Sequence, residues 1–298
     1  MHVPGAHLSV GPAATTHEGL IDCGPRSRPS AVGVATAEDG TQWTVPAATH
    51  FTAGPKAVDL YNECGTSGGT TLEDLDLAAV PVVDAGGEET FVAYVFADNY
   101  FELYANGTLV GVDAVPFTPF NSSVLRFKAT RPVTLAVQLV DWEENLGLGS
   151  EAGRGTPFHP GDGGLVMLVQ DAAGQTVLTT DERWKAQTFY TSPLIDPSCV
   201  KLEGHVRDSS ACSTSDSDDA SGYSALFWDL PEDWTSPSFD DSDWPQATTY
   251  TNDTVGVDNK PAYTNFTQLF DAPGADAQFI WSSNLVLDNL VLTRATIR

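Results

Sequence analysis

Residues 101–112 read Phe-Glu-Leu-Tyr-Ala-Asn-Gly-Thr-Leu-Val-Gly-Val, two short alternating segments joined by an Asn-Gly pair. Asn106 and Gly107 are residue types that accept a positive φ at both central positions of a type I′ turn. The twist of that turn matches the twist of the strands on either side of it. The stretch therefore predicts a β-hairpin, and it sets the pattern for the rest of the chain.

Further strands are indicated on both sides of this hairpin. The segments at 91–96, 124–128, 133–140, 165–169 and 176–179 are either apolar throughout or alternate between apolar and polar residues. Two more apolar segments, 279–281 and 290–297, close the chain. A Thr-x-x-Asp pattern at 71–74 is typical of a capping box and predicts one short helix through 75–79. The pattern as a whole predicts an all-β protein.

Composition limits the possible functions. The 298 residues, 41% of them hydrophobic, can build one large β domain. Forty acidic against 14 basic residues give a net charge of −26, which excludes nucleic acid as a partner because phosphate binding needs clustered Lys and Arg. The chain contains no apolar run of membrane-spanning length, so we expect no membrane span. Two interpretations of this negative charge are open: a well-solvated acidic surface, or a protein that works in cation-rich surroundings and binds calcium.

Two segments differ from the strand pattern. Residues 1–40 are rich in Gly, Pro, Ala, Ser and Thr without periodicity, and they predict an irregular N-terminal arm. Residues 41–298 show no linker and no repeat, which favours a single domain. Within it, the Ser- and Asp-rich stretch 203–222 predicts an exposed loop.

The cysteines predict two disulfides. Cys23, Cys64, Cys199 and Cys212 lack the Cys-x-x-Cys spacing of zinc sites, and disulfides form in oxidising compartments. Three connectivities are possible. We favour Cys23–Cys64 with Cys199–Cys212 because this pairing closes the shortest loops.

Four N-glycosylation sequons, at Asn106, Asn121, Asn252 and Asn265, also favour an extracellular or cell-surface location. The amino terminus shows neither the basic region nor the apolar stretch of a signal peptide. We therefore expect a secreted protein whose signal peptide is not visible in this sequence.

A set of motifs gives the chain a family resemblance. Tyr-x-Asn-Gly-x-x-Val-Gly at 104–111 is followed by Asp-Glu-Arg-Trp-Lys at 181–185, by Trp234, by Phe-Asp-Asp-Ser-x-Trp at 239–244 and by Ala247. In this order they resemble galactose-binding-like jelly-roll domains, notably the amino-terminal lectin-like domain of bacterial α-L-rhamnosidases. The resemblance covers residues 90–250, about half of the chain.

For residues 41–298 the resemblance implies a jelly-roll β-sandwich with long loops and a role in carbohydrate binding. Fold alone does not dictate function. The residues after 250 are too few for the (α/α)₆ catalytic barrel of those enzymes, so the resemblance implies no enzymatic activity.

The long loop at 142–164 carries the densest group of acidic residues. Asp141, Glu143 and Glu144 follow the strand at 133–140, and Asp162 returns to the same edge. Calcium prefers six to eight hard oxygen ligands of this type. The sequence therefore predicts a calcium site at these four residues, although a solvated acidic loop with Trp142 packed beneath it is the open alternative.

A sugar platform is predicted beside this loop, because a flat aromatic ring covers the C–H face of a pyranose. Trp142 and Tyr100 are the platform candidates, since the other tryptophans in the family motifs are more typical of core packing. The polar partners and the candidate histidine ligand are Asp98, Asn99, Glu143, Glu144 and His159.

Three functions follow as hypotheses. The first is a non-catalytic, calcium-stabilised extracellular module that binds carbohydrate or a cell surface. The second is a structural or adhesive component that binds matrix or cell-surface proteins. The third is a polysaccharide hydrolase or lyase that uses Glu143, Glu144 and His159, since a carboxylate pair can cleave glycosidic bonds.

Overall fold

The computed structural model describes residues 3–24, 28–64, 70–116, 120–152 and 155–298. These residues form the strands β1 (His7–Val10), β2 (Ala14–His17), β3 (Val32–Thr36), β4 (Gln42–Val45), β5 (Val58–Tyr61), β6 (Val82–Asp84), β7 (Glu89–Asp98), β8 (Tyr100–Ala105), β9 (Thr108–Val112), β10 (Asn121–Ala129), β11 (Val133–Val140), β12 (Ser150–Glu151), β13 (His159–Pro160), β14 (Gly164–Asp171), β15 (Thr176–Thr179), β16 (Lys185–Leu194), β17 (Lys201–Glu203), β18 (Val206–Asp208), β19 (Ser224–Phe227), β20 (Thr248–Tyr250), β21 (Phe279–Trp281) and β22 (Asp288–Ile297). Three short helices lie between β20 and β21: α1 (Asn252–Val255), α2 (Pro261–Thr264) and α3 (Thr267–Phe270).

Two large sheets dominate the fold. The first has seven strands in the order β1-β19-β16-β22-β11-β8-β9. The second has eight strands, with β20-β21-β14-β7-β10-β5 in its main path and β15 and β6 beside β14 and β10. The pairs in these sheets are antiparallel apart from β6 with β10. The all-β prediction is confirmed, and the paired sheets are consistent with a β-sandwich.

The predicted hairpin is present as β8 and β9. Asn106 and Gly107 have φ angles of 48° and 84°, the left-handed values that a type I′ turn needs. The Asn106 side chain also accepts a hydrogen bond from the backbone N–H of Thr134 at 2.9 Å. The turn is thereby fixed to β11, the neighbouring strand in the sheet.

The seven-stranded sheet is buried on both faces. Phe101 and Leu135 point into an apolar cluster shared with the eight-stranded sheet. Tyr104 and Leu290, on the opposite face, belong to a second cluster that includes Val45 and the tryptophans at 228, 234 and 244. Strands alternate their side chains between faces, so both faces of this sheet exclude water. Each large apolar side chain buried here contributes about 1.5–3 kcal/mol.

The three short helices cover part of the eight-stranded sheet. Phe96 on β7 makes edge-to-face contacts with Tyr263 of α2 and with Phe279 of β21, at centroid distances of 6.4 and 5.3 Å. Tyr263 also stacks on Phe270 of α3 at 5.7 Å. Each helix has only four residues, too few to be stable alone, so tertiary packing against the sheet holds them.

The prediction of an irregular arm at 1–40 is wrong for much of that segment. Strand β1 pairs with β19 at the edge of the seven-stranded sheet, and β2 and β3 form a three-stranded sheet with β4. Leu8 on β1 is only 7% exposed. These strands are four or five residues long, too short for a period-two pattern to stand out from the surrounding Gly and Pro residues.

Two smaller expectations also change. In place of a helix over 75–79, the structure has a 3-10 turn at Leu77–Ala79, capped by Asp76, which accepts a hydrogen bond from the backbone N–H of Ala78 at 3.0 Å. The stretch 203–222 contains β18, which pairs with β17, and its remainder is largely exposed.

Both predicted disulfides, Cys23–Cys64 and Cys199–Cys212, are present. Two disulfides indicate an oxidising environment. In the part of the chain that the structure describes, no helix combines the length and apolar character needed to cross a membrane.

Candidate functional site

Several acidic side chains meet where β7, β11 and β14 end or begin. Asp98 is the last residue of β7 and pairs in register with Gly164 at the start of β14. The backbone N–H of Asn99 donates to the carbonyl of Val140 at 3.0 Å, which brings the end of β11 to the same place. Asp141 and Asp162, which adjoin β11 and β14, are thereby placed beside Asp98.

Glu151 on β12 completes this group. A Cβ atom built on Gly161 would lie 3.3 Å from Asp141 Oδ2 and 3.5 Å from Glu151 Cδ, so the two side chains share one space. We define the acidic cluster as Asp98, Asp141, Glu143, Glu151 and Asp162. Four of these residues are among the predicted ligands, whereas Glu151, eight residues after Glu143 in the same loop, is not.

Burial and neighbouring carboxylates raise the pKa values of three members of the acidic cluster, Asp98, Asp141 and Glu143. Asp98, Asp141 and Glu143 are only 2–3% exposed. Burial raises the pKa of Asp141 well above its ordinary value, and the neighbouring Glu151 and Asp98 raise it further. Burial likewise raises the pKa of Asp98, and the nearby Asp162 adds to it. The pKa of Glu143 rises to about 7, again chiefly because the carboxyl is buried.

Arg28 supplies positive charge at the rim of the acidic cluster. Its Nε lies 3.2 Å from Glu144 Oε1, and its Nη1 donates to Glu151 Oε1. Glu144 also accepts a hydrogen bond from the backbone N–H of Ala152 at 2.8 Å. Glu144 is therefore directed toward Arg28, and no sequence pattern indicates this contact with an arginine 116 residues earlier in the chain.

The predicted sugar platform is wrong. Tyr100 and Trp142 are fully buried and contact each other edge to face at 5.6 Å. The Trp142 ring N–H donates to the carbonyl of Ala31 at 3.0 Å, and the Tyr100 hydroxyl donates to Glu102 at 2.9 Å. The N-terminal segment covers this face of the sheet, so neither ring can meet a sugar.

Asp98 and Asn99 are also buried, which contradicts their prediction as polar partners of a bound sugar. The Asn99 side chain accepts a hydrogen bond from the backbone N–H of Trp142 and donates one to Asp98, each at 2.6 Å. The peptide bond between Asp98 and Asn99 is cis. Asn99 thus joins the end of β7 to the segment after β11, a structural role.

Glu143 and His159 are likewise engaged in internal contacts. Glu143 Oε1 accepts a hydrogen bond from the backbone N–H of Gly147 at 3.0 Å and so holds the turn that follows it. His159 Nδ1 lies 2.5 Å from Asp216 Oδ1, and the histidine side chain is 16% exposed. His159 therefore joins the loop at 142–164 to the Ser- and Asp-rich stretch.

The predicted calcium ligands are only partly brought together. Asp141, Glu143 and Asp162 belong to the acidic cluster, whereas Glu144 is paired with Arg28. Across the described ranges, no group of three or more His, Cys, Asp or Glu side chains has the arrangement needed to hold a metal ion. Calcium at this set of four residues stays a prediction.

An open cleft lies on the other side of Arg28. It has a volume of about 420 Å³ and is lined by Glu18, Gly19, Leu20, Ile21, Asp22, Arg28 and Pro29. Ser30 Oγ accepts hydrogen bonds from the backbone N–H groups of Leu20 and Ile21, at 2.9 and 3.1 Å, and so fixes one wall. We call this feature the arm cleft. Sequence reasoning missed it because the residues 18–29 carry no periodic pattern.

A second buried carboxylate has an unusual set of partners. Glu102 is fully buried and lies 2.8 Å from both the Tyr104 hydroxyl and His50 Nδ1. His50 is more than half exposed. Glu102 also accepts a hydrogen bond from the backbone N–H of His50, and these contacts hold the segment at 48–51 against β8.

The sequons differ in their surroundings. Asn121 is 1% exposed, and its Nδ2 donates to Asp113 at 3.0 Å, so a glycan has no room there. Asn106, Asn252 and Asn265 are half-buried, and Asn252 Nδ2 donates to the Tyr263 hydroxyl at 3.2 Å. The prediction of glycosylation at Asn121 is contradicted by this packing.

Comparison with known proteins returns no match to a protein-family model, to a curated protein or to a solved structure.

Proposed function

We propose that this protein is a non-catalytic extracellular module, built on a galactose-binding-like jelly roll, that binds carbohydrate in the arm cleft. One observation carries this proposal: a cleft of about 420 Å³ combines the side chains of Glu18, Asp22 and Arg28 with those of Leu20 and Ile21. The volume lies within the range of about 300–1,000 Å³ usual for small-molecule sites.

The chemistry of the lining suits a sugar. Carboxylates accept hydrogen bonds from sugar hydroxyls, and a guanidinium donates to ring and hydroxyl oxygens. Leu20 and Ile21, both partly exposed, offer apolar surface to the C–H face of a pyranose.

The cleft is also held in place before any ligand arrives. Arg28 is fixed by Glu144 and Glu151, and the disulfide from Cys23 ties the same segment to Cys64. A wall that is already ordered loses little conformational entropy on binding. Glu144, one of the residues predicted for ligand binding, contributes here by orienting Arg28.

A glycan array tests the proposal, run with calcium and again with EDTA. The variant Asp22→Asn removes a charge from the cleft, while its side-chain oxygen can still accept the hydrogen bond from the backbone N–H of Gly24 that Asp22 accepts at 2.8 Å. Glu232→Gln is the matched control, because Glu232 is exposed and is not part of the lining. We expect binding to at least one glycan class, lost in Asp22→Asn and kept in the control. The absence of binding to every neutral and acidic glycan on the array would contradict the proposal.

A protein partner is the second candidate, favoured by exposed apolar side chains where β1 and β16 end. Val10 is 57% exposed and Ile195 is 51% exposed. Val10 pairs in register with Ser224 of β19, and so does Leu194, the residue before Ile195. Light scattering at high protein concentration tests self-association through this surface, and a strict monomer would contradict it.

We do not propose hydrolysis by Glu143, Glu144 and His159. Glu143 is 2% exposed, so a glycosidic bond cannot reach it. Glu144 and His159 are paired with Arg28 and Asp216.

A further inference from the structure

The arm cleft carries an uneven balance of charge. Two of its lining side chains, Glu18 and Asp22, are carboxylates that are exposed to solvent. Across the described ranges, neither of them forms an ion pair with a lysine, arginine or histidine. Asp22 Oδ1 accepts a hydrogen bond from the backbone N–H of Gly24 at 2.8 Å, which fixes this carboxylate at the cleft. A ligand in the cleft therefore meets two carboxylates that no described cation neutralises.

The positive charge of the lining is already shared with other groups. Among the described lining residues, Arg28 alone is basic. Its Nε lies 3.2 Å from Glu144 Oε1, and its Nη1 donates to Glu151 Oε1. Neither of these two carboxylates belongs to the lining, and their side chains are only 17% and 15% exposed. The guanidinium charge is therefore compensated by the protein before any ligand arrives.

The cleft and its immediate support are negative as a whole. Four carboxylates accompany the single guanidinium of Arg28, namely those of Glu18, Asp22, Glu144 and Glu151. Arg26, which lies outside the described residues, adds one positive charge and does not reverse this excess. The net charge of the whole chain, −26, has the same sign and acts at longer range. The electrostatic field of the cleft therefore attracts a cationic ligand and repels an anionic one.

We propose that the arm cleft selects sugars that carry a protonated amine, such as glucosamine units, over neutral sugars of the same shape and over uronates. This selectivity rests on the proposed function, because it specifies which carbohydrate the cleft binds. An ammonium group donates charge-assisted hydrogen bonds to a carboxylate, and these are shorter and stronger than those of a neutral hydroxyl. A uronate is rejected because it brings a further carboxylate beside Glu18 and Asp22. Leu20 and Ile21 contact the C–H face in each case and add affinity without charge selectivity.

Three β-1,4-linked trimers test the selectivity: those of glucosamine, glucose and glucuronate. They share one backbone and one linkage and differ chiefly in charge. Calorimetric titration uses the full chain in low-salt buffer, at a mildly acidic pH that keeps the amine protonated. We expect the glucosamine trimer to bind at least about tenfold more tightly than the glucose trimer, and the glucuronate trimer to bind least. Because salt screens exposed charges, the preference for glucosamine should shrink as NaCl is added.

Variants assign the selectivity to the cleft. Asp22→Asn and Glu18→Gln each remove one negative charge and keep a side-chain oxygen that accepts hydrogen bonds. Each should lower the affinity for the glucosamine trimer more than the affinity for the glucose trimer. Glu144→Gln leaves the lining intact but removes one of the two charges that compensate Arg28, so the glucuronate trimer should bind it more tightly than the wild type. Glu232→Gln, exposed and outside the lining, is the matched control and should keep the wild-type order of affinities.

The outcomes distinguish the selectivity from the proposed function on which it rests. Equal affinity for the glucosamine and glucose trimers, or tighter binding of glucuronate, would overturn the selectivity. If Asp22→Asn still lost affinity for the glucose trimer in that case, carbohydrate binding in the cleft would stand without it. A preference for glucosamine that persists unchanged in Asp22→Asn and Glu18→Gln would also overturn it, because the overall charge of the chain would then be the cause. Binding of none of the three trimers would overturn it too, while the glycan array would still decide the proposed function.

Discussion

Arg28 Nε lies 3.2 Å from Glu144 Oε1, and this contact joins the N-terminal segment to the loop that follows β11. Glu151 accepts a second hydrogen bond from the same guanidinium. Two carboxylates that are 17% and 15% exposed thus share one cation at the boundary between the acidic cluster and the arm cleft.

Removal of Arg28 should destabilise the protein. We expect Arg28→Ala to lower the free energy of unfolding by about 2 kcal/mol, because both carboxylates lose their partner while they stay largely buried. Arg183→Ala is the control, since Arg183 is 76% exposed and its pair with Asp181 should be worth less than about 0.5 kcal/mol. Chemical denaturation of both variants measures the difference. Equal effects would show that Arg28 is an ordinary surface residue.

Gly149 should be intolerant of any side chain. Its φ is +61°, and a Cβ atom there would lie 2.1 Å from Asn289 Nδ2 and 2.4 Å from the carbonyl oxygen of Ser192. Gly204 has a similar φ of +64° with nothing within 4 Å, so Gly204→Ala isolates the cost of the backbone conformation alone. We expect Gly204→Ala to cost about 1 kcal/mol and Gly149→Ala at least about 2 kcal/mol more. A Tm for Gly149→Ala as high as that of Gly204→Ala would contradict the packing.

Stability should fall as the pH rises from 5 to 8.5. Burial raises the pKa of Asp288 to about 7 and that of Asp113 to about 8. Because an unfolded chain has aspartate pKa values near about 3.9, the native state binds more protons in this range. The stability that these groups contribute is complete below the unfolded pKa and is lost as pH passes through the native pKa.

The variant Asp288→Asn separates this effect from general charge repulsion. We compare the free energy of unfolding of the variant with that of the wild type at each pH. This difference should shift in favour of the variant by about 2 kcal/mol between pH 5 and pH 8.5. Asp219→Asn, at an exposed carboxylate that caps a 3-10 turn, should leave the pH profile unchanged. Urea midpoints at both pH values provide the measurement. A wild-type profile that is flat from pH 5 to 8.5 would contradict the burial argument.

Glycan occupancy should follow the packing of the sequons. In protein secreted from a eukaryotic host, we expect Asn121 to be unoccupied, because its side chain is buried and bonded to Asp113. Asn265, half-buried at the end of α2, is expected to be occupied. Glycopeptide mass spectrometry distinguishes the sites, and a glycan at Asn121 in folded protein would be incompatible with this structure.

The features that were predicted correctly from the sequence are those that depend on neighbouring residues. Asn106 and Gly107 both accept the positive φ angles that their turn needs. The alternating pattern at 133–140 coincides with β11, whose two faces pack in the two apolar clusters. The disulfide pairing also followed from loop length.

The buried state of the predicted ligand residues depends on distant parts of the chain. Trp142 is covered by a segment that includes Ala31, more than a hundred residues earlier in the chain. No local sequence pattern predicts that contact. The acidic cluster was partly predictable, because residues that adjoin the ends of strands can meet at one end of two packed sheets, as Asp98, Asp141 and Asp162 do. Arg28 was not, since its segment lacks periodicity and its partners lie in another loop.

Calorimetric titration of a glycan selected on the array tests the central claim most directly, with wild type, Asp22→Asn and Glu232→Gln compared under one condition. Carbohydrate binding in the arm cleft predicts at least a tenfold loss of affinity in Asp22→Asn and none in Glu232→Gln. Equal affinity in all three proteins would place the glycan elsewhere and contradict the claim.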